Sequence, residues 1–305
     1  MERFTLSASD GHKVACYRWI PEEAKAVVQL AHGMGEHAAR YDWVARGLNA
    51  AGYAVLANDH RGHGDTAGPD LGYMGPDGWN RTLADLYELN QYCRSLYPGL
   101  PLCLLGHSMG SMLSQQYITR HGCSIDALVL SGSPGFKESS RIASWIVRFE
   151  NWRHEPNEAS DLMQKLLFSS SNKNFDSPSA TGYEWLSRDA DAVKKYVDDK
   201  KCGFVLSIGS LVDMYAGGGA AQDKRSLDKI PAELPMLVFA GADDPVHGER
   251  LDLDRMVNAY RDTGIRKLDY KMYEGGRHEM FNETNREEVI ADVIQWLDAT
   301  LGGSA

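Results

Sequence analysis

The chain has 305 residues, 43% hydrophobic and 24% charged, an ordinary globular composition that excludes a disordered or fibrous protein and is ample for a dry core. Lys and Arg number 32 against 42 Asp and Glu, a net charge of −10, which excludes the electrostatic footprint of a nucleic-acid binder and argues against a polybasic patch for anionic lipid. No apolar run approaches the ~20 residues of a bilayer span, MERFTLSASDGHK has no apolar signal region, and Cys16, Cys93, Cys103, Cys123 and Cys202 are scattered without a C-x-x-C; the expectation is a cytoplasmic protein with reduced thiols.

The first 133 residues alternate strands with helices. FTLSA (4–8) and KVACYRW (13–19) flank Asp10-Gly11, a hairpin turn signal. AVVQLAH (26–32) is nearly unbroken apolar sequence, as a strand covered on both faces requires. A helix around 41–51, the strand YAVLAND (53–59), a helix around 79–97, the strand LCLLG (102–106), a helix over 109–121 and the strand ALVLSGS (127–133) follow. This order predicts a mostly parallel central sheet flanked by helices, an α/β architecture.

Strand signals then stop from 134 to 226, and this segment is expected to be an inserted, mainly helical cap. Ile142, Trp145, Ile146 and Phe149 fall on one helical face, and Leu162, Met163, Leu166 and Leu167 repeat the pattern. Such stripes either pack helix on helix or form an apolar underside facing a substrate. The second reading makes Ile142, Trp145, Ile146 and Phe149 substrate-binding residues. Gly217-Gly218-Gly219 reads as a loop or hinge. Strand–helix order returns over 227–305 with PMLVFAG (235–241), a helix around 248–263, KLDYKMY (267–273) and a last helix over 285–301.

The strongest chemical signal is Gly106-His107-Ser108-Met109-Gly110, a G-x-S-x-G between a strand and a helix. A serine on such a sharp turn is strained and lifted above the sheet edge, and small neighbours two residues away on each side avoid a clash. Its hydroxyl needs a base, and the base an orienting carboxylate, in the chain order Ser, acid, His. Of the histidines after Ser108, His154 lies in the cap and His247 crowds the acid candidate. His278 lies in the loop before the last helix, where the base belongs. The acid belongs after strand 235–241, where Asp243 and Asp244 compete. Asp244 is favoured because it directly precedes the proline that fixes the turn. The oxyanion donors expected are the Met109 N–H and, from His32-Gly33-Met34-Gly35-Glu36-His37, the Met34 N–H. The pairs His32/His37 and His60/His63 sit on Gly-broken loops, so no metal is expected there. His32, Asp59, His60 and Arg61 are expected to brace the site loops. No glycine pattern fits a nucleotide site, and no cofactor is expected.

HGMGEHAARY (32–41), NDHRGHGDT (58–66), GHSMGS (106–111), GADDPV (241–246) and GGRHEMFNE (275–283) together resemble the monoacylglycerol lipase and lysophospholipase branch of the α/β-hydrolases, bacterial type, over essentially the whole chain. The cap segment 175–204 resembles that of bacterial members. The resemblance implies the α/β-hydrolase fold, Ser108 as nucleophile, Asp244 as acid, His278 as base, Met34 and Met109 as oxyanion donors, and a small-molecule acyl ester as substrate without a cofactor. It leaves open a thioesterase, a small-ester carboxylesterase or a proline-iminopeptidase-like peptidase, and, in another class, a catalytically silent binding protein. Transient contact with a membrane surface through the cap is a further expectation; the oligomeric state is left open.

Overall fold

The computed structural model describes residues 1–136, 140–165, 170–175, 177–248 and 250–302, without the side chains of 140–144, 146, 164 and 170. Eight strands form one sheet: β1 (Glu2–Ser7), β2 (Lys13–Trp19), β3 (Ala26–Ala31), β4 (Tyr53–Asn58), β5 (Leu102–His107), β6 (Ala127–Ser131), β7 (Met236–Gly241) and β8 (Leu268–Tyr273). Their spatial order is β1-β2-β4-β3-β5-β6-β7-β8. The β1–β2 and β2–β4 pairings are antiparallel, and every pairing from β4 through β3 to β8 is parallel. The mostly parallel sheet expected from the strand–helix alternation is therefore present. β1 runs earlier than its apolar residues suggest, because Ala8 and His12 close the hairpin around Gly11, which takes φ 85°.

The long helices are α1 (Asp42–Ala50), α2 (Gly78–Leu96), α3 (Met109–His121), α4 (Ser140–Arg153), α5 (Ala190–Asp198), α6 (Ile208–Ala221), α7 (Leu251–Asp262) and α8 (Arg286–Leu301). The central strands β3, β4, β5, β6 and β7 are buried along their whole length, which explains their continuous apolar sequences. Their side chains divide by pleat. Leu102 and Leu104 of β5 join Leu86, Leu113, Leu211 and Leu253 in one core layer. Cys103 and Leu105 join Leu48, Val293 and Leu297 on the other face, under α1 and α8. No helix among the described residues is long and apolar enough to cross a membrane.

Between β6 and β7 the described residues contain helices and no strand. Gly217-Gly218-Gly219 is not the loop its composition suggested; all three lie inside α6. Glycine is called for at position 217 by a close approach and not by a bend. α6 packs on α2 and α3, and a Cβ at Gly217 would run into the indole nitrogen of Trp79. That indole is fully buried and donates to Gln116 Oε1 at 2.5 Å, so it cannot swing aside. Gly219 has open space around its missing Cβ.

Two glycines in one helix should therefore respond in opposite directions. Gly219→Ala should raise stability by up to about 1 kcal/mol, the usual helical advantage of alanine. Gly217→Ala should lower it by about 1–3 kcal/mol through overpacking. Urea midpoints measure both, and a stabilising Gly217→Ala would disprove the close-packing account.

Candidate active site

Ser108 lies at the carboxyl end of β5, immediately before α3, with φ 52° and ψ −116°. This left-handed φ is held from several sides. Ser108 N–H donates to the Ser131 carbonyl of β6 at 3.0 Å. A Cβ at Gly110 would strike the Ala31 carbonyl oxygen at the end of β3, and one at Gly106 would strike Ser114 Oγ and the Gly110 carbonyl. The two glycines are thus the places where β3, β5 and α3 touch backbone to backbone. Met109, the first residue of α3, has an N–H with no acceptor inside the helix.

Asp244 follows β7 and His278 follows β8, so three loops at the carboxyl edge of the parallel strands bring the expected residues together. His278 Nδ1–H donates to Asp244 Oδ2 at 2.9 Å, and Ser108 Oγ–H donates to His278 Nε2 at 2.9 Å. The carboxylate can only accept, which fixes the imidazole tautomer and leaves Nε2 basic toward the hydroxyl. The other Asp244 oxygen accepts from Val246 N–H at 2.9 Å. Asp243 is exposed. His247 is engaged structurally, donating from Nε2 to the Gly241 carbonyl and accepting at Nδ1 from Arg250 N–H. His154 pairs with Glu150 and Glu158 on the cap.

Burial by itself would raise the Asp244 carboxyl and lower the His278 imidazole. The close charge pair and its hydrogen bond outweigh burial at both, so Asp244 lies below the usual carboxylate value and His278 above the usual histidine value. His107 and Trp185 flank the His278 ring at centroid distances of 4.9 Å each. Burial, aided by repulsion from His278, pushes His107 down to about 4, so it adds no competing positive charge at neutral pH.

The loop carrying Met34 is braced from beneath. Glu36 Oε1 accepts from Gly33 N–H at 2.6 Å and Tyr41 O–H at 2.8 Å. Arg40 bridges Glu36, at 2.5 Å, to Glu279 in a two-pronged contact at 2.7 and 2.8 Å. Glu279 adjoins the candidate base, so a buried ion network joins the oxyanion loop to the histidine loop. His32 accepts His60 N–H at Nε2 and donates from Nδ1 to the Gly33 carbonyl. Asp59 accepts from Ala38 N–H, Asp65 N–H and Tyr17 O–H. Arg61 forks onto Asp85 and Asp10. These contacts match the bracing role expected of His32, Asp59, His60 and Arg61.

The cap residues over Ser108 are not the expected ones. Trp185, Leu186 and Tyr196 line the cavity with Gly33, Met34, Glu36, His107, His278 and Glu279. The backbone is joined as well: His278 N–H donates to the Trp185 carbonyl at 3.3 Å, and Glu279 N–H to the Leu186 carbonyl at 2.7 Å. By contrast, Trp145 and Phe149 of α4 are 73% and 57% exposed and Trp152 is 81% exposed. That side of the helix turns to solvent because α4 packs on α6 through its other side, where Val147 and Glu150 are buried. Trp145 and Phe149 are thus corrected from lining residues to surface residues. The side chains of Ile142 and Ile146, and Leu166 and Leu167, lie outside the described residues. Glu36 and Glu279 stood in the motifs without a role; their value is visible only once Arg40 is seen between them.

A family model described as Serine aminopeptidase, S33 (Hydrolase_4) matches residues 22–285. The chain belongs to this α/β-hydrolase family. A monoacylglycerol lipase from Mycolicibacterium smegmatis is 30% identical over 290 residues, covering 92% of this chain and 90% of that protein. A highly thermostable carboxyl esterase from Bacillus coagulans, solved in complex with glycerol, superposes with a TM-score of 0.90 at 27% identity over 98% of both chains. A soluble variant of the Saccharomyces cerevisiae monoglyceride lipase shares the fold, with a TM-score of 0.74 at 20% identity over 98% of this chain and 95% of that one. The resemblance to the monoacylglycerol lipase branch is borne out.

The raised His278 value has a definite sign. Protonated His278 cannot accept the serine proton, so attack by Ser108 should fade as pH falls through the raised value. The rate of phosphonylation by a fluorophosphonate should show an acid limb above pH ~6.5, the ordinary histidine value. Asp244→Asn should slow that labelling far more than Asp243→Asn, and the reverse ranking would overturn the assignment of the acid.

Proposed function

We propose that the chain is a carboxylic ester hydrolase acting on esters of single acyl chains, monoacylglycerols before lysophospholipids. The observation that carries this reading is the continuous Ser108–His278–Asp244 hydrogen-bond relay, 2.9 Å at each link, on a strained elbow. Similarity to a monoacylglycerol lipase and to a carboxyl esterase supports the ester class. A net charge of −10 gives no attraction to anionic head groups, which favours the neutral glyceride.

In this mechanism Ser108 Oγ attacks the acyl carbonyl carbon while His278 Nε2 takes its proton. The carbonyl oxygen becomes an oxyanion, held by the N–H groups of Met34 and Met109 and favoured by the N-terminus of α3. Asp244 stabilises the imidazolium. His278 then returns the proton to the departing alcohol, and an acyl-serine remains. Water, deprotonated by the same nitrogen, attacks the acyl group and releases the fatty acid. No step calls on a metal or cofactor.

The cavity at Ser108 encloses about 40 Å³, whereas sites for larger ligands take several hundred. We therefore propose that residues 134–226 act as a cap that stands closed here, and that Trp185 and Leu186 move for an acyl chain to reach the serine. Outside, Trp145, Phe149 and Trp152 form an aromatic surface suited to transient contact with a lipid aggregate. The cytoplasm is the compartment that suits five unpaired cysteines.

A peptidase reading calls for a carboxylate free to hold a substrate amine. Glu36 and Glu279 line the cavity, but both are taken by Arg40. Of the cap acids, Glu150 is taken by Ser160, Arg153 and His154 and Glu158 by His154, while Glu155 is exposed and does not line the cavity. The ester reading is therefore the better one.

Ser108→Ala should cut ester turnover by about 10⁴-fold or more with the fold retained; a kcat within tenfold of wild type would move the nucleophile elsewhere. A hydrolysis profile across head groups and chain lengths tests the substrate class, and faster release from aminoacyl amides than from monoacylglycerols would reverse it. Trp145→Asp should leave a soluble short-chain ester within about twofold while slowing turnover on emulsified monoacylglycerol. Equal loss on both would mark a general loss of cap stability and defeat the lipid-contact reading.

A further inference from the structure

We propose that His37, Asp199 and Cys202 form a zinc-type divalent-cation site that clamps the cap segment onto the loop carrying Met34. One nitrogen of His37, one oxygen of Asp199 and the sulfur of Cys202 all lie within 4.8 Å of one another. His37 follows β3, whereas Asp199 and Cys202 follow α5. The site therefore joins two parts of the chain more than 160 positions apart.

The donor set suits zinc: one imidazole, one carboxylate and one thiolate, with a fourth position for water. Zinc-to-ligand distances of about 2.0–2.3 Å imply tetrahedral edges of roughly 3.3–3.8 Å. His37 Nε2 and Asp199 Oδ2 stand 2.9 Å apart. They would open by about half an ångström, and the sulfur would close from within its present range. Zinc would replace the proton shared by His37 and Asp199, the imidazole carrying its hydrogen on Nδ1, and would displace the thiol proton of Cys202.

The frame around the ligands is already built. Asp199 Oδ1 accepts from Lys201 N–H at 2.9 Å, leaving Oδ2 for the cation. Cys202 N–H donates to the Asp199 carbonyl at 2.9 Å, so both cap ligands sit on one turn. That turn is docked independently of the ligands: Gly203 N–H and Tyr196 O–H both donate to the Gly35 carbonyl at 2.9 Å. The electrostatics also favour a dication. Beside the site, Glu36 and Glu279 together outnumber the one guanidinium, Arg40, that they share. Asp199 and Cys202 are partly exposed, which provides an entry path. The sequence pairs His32/His37 and His60/His63 do not make this site; only His37 takes part, with two residues that tertiary folding supplies.

A clamp here would hold the cap closed over Ser108 without taking part in the chemistry. That consequence for turnover rests on the esterase reading; the binding itself does not. The test is cobalt titration of the full-length, chelator-treated protein, followed by zinc competition. One equivalent of Co²⁺ should produce a thiolate-to-cobalt charge-transfer band with tetrahedral visible bands, and Zn²⁺ should abolish both. Cys202→Ser should remove the charge-transfer band, Asp199→Asn should weaken cobalt binding at least tenfold, and Cys123→Ser, which alters the exposed thiol, should change neither. Absence of the band in the wild type, or its persistence in Cys202→Ser, overturns the site whatever the hydrolase activity. If the band behaves as expected, Zn²⁺ should slow turnover of long-chain esters in the wild type and spare Cys202→Ser. Equal slowing of both would overturn the clamp, and binding without any ester turnover would leave the site standing and defeat the esterase reading.

Discussion

The left-handed backbone of Ser108 is the constraint on which the rest of the site depends. A non-glycine residue in such a conformation costs on the order of 1–3 kcal/mol and persists only where its surroundings over-determine it. Here the surroundings are backbone. β3, β5 and the first turn of α3 meet at Gly106 and Gly110 without room for a Cβ, and β6 holds the serine amide. The same crowding that strains Ser108 lifts its hydroxyl clear of the sheet and aims it at His278. Ser108 is thus held by β3, β5, β6 and the first turn of α3 together.

Those loops are coupled by charge. Glu36, Arg40 and Glu279 form one buried network running from the oxyanion loop to the residue beside the base. Burial would raise the Glu279 carboxyl, but Arg40 outweighs it and holds it at about 2. Glu279 and Arg40 therefore stay charged across the working pH range. Removing one partner from such a set leaves an uncompensated buried charge, typically at a cost of about 3–5 kcal/mol. It ties two loops from different ends of the sequence, those carrying Met34 and His278, into a fixed relation.

The cap is fastened to this braced floor and not simply laid over it. The carbonyls of Trp185 and Leu186 accept from the backbone of His278 and Glu279, and Tyr196 and Gly203 donate to Gly35. The cavity that results, about 40 Å³, has room for water beside the serine. The same closure excludes a long acyl chain. The cap-to-loop contacts are a few hydrogen bonds, separate from the ion network beneath them.

The layer order, the sharp strand-to-helix turn at Ser108, and the loops holding His278 and Asp244 were legible in the sequence. They were legible because these features are local: apolar runs set strands, two glycines mark the elbow, and the chain order of serine, acid and histidine follows from successive strands ending at one edge. The sequence did not determine which face of a helix would be covered. Trp145 and Phe149 have the spacing of a buried stripe, yet the side of α4 that packs on α6 is the other one. The three glycines of α6 have the composition of a hinge, yet they lie within a helix, and at Gly217 it is the pinned indole of Trp79 that leaves no room for a Cβ. Trp185, Leu186 and Tyr196 lie within the cap segment 175–204, but nothing in its sequence marks them as facing Ser108. Contacts between segments more than a hundred residues apart depend on how elements dock, and periodicity within one element holds no information about its partner; that choice belonged to the tertiary structure alone.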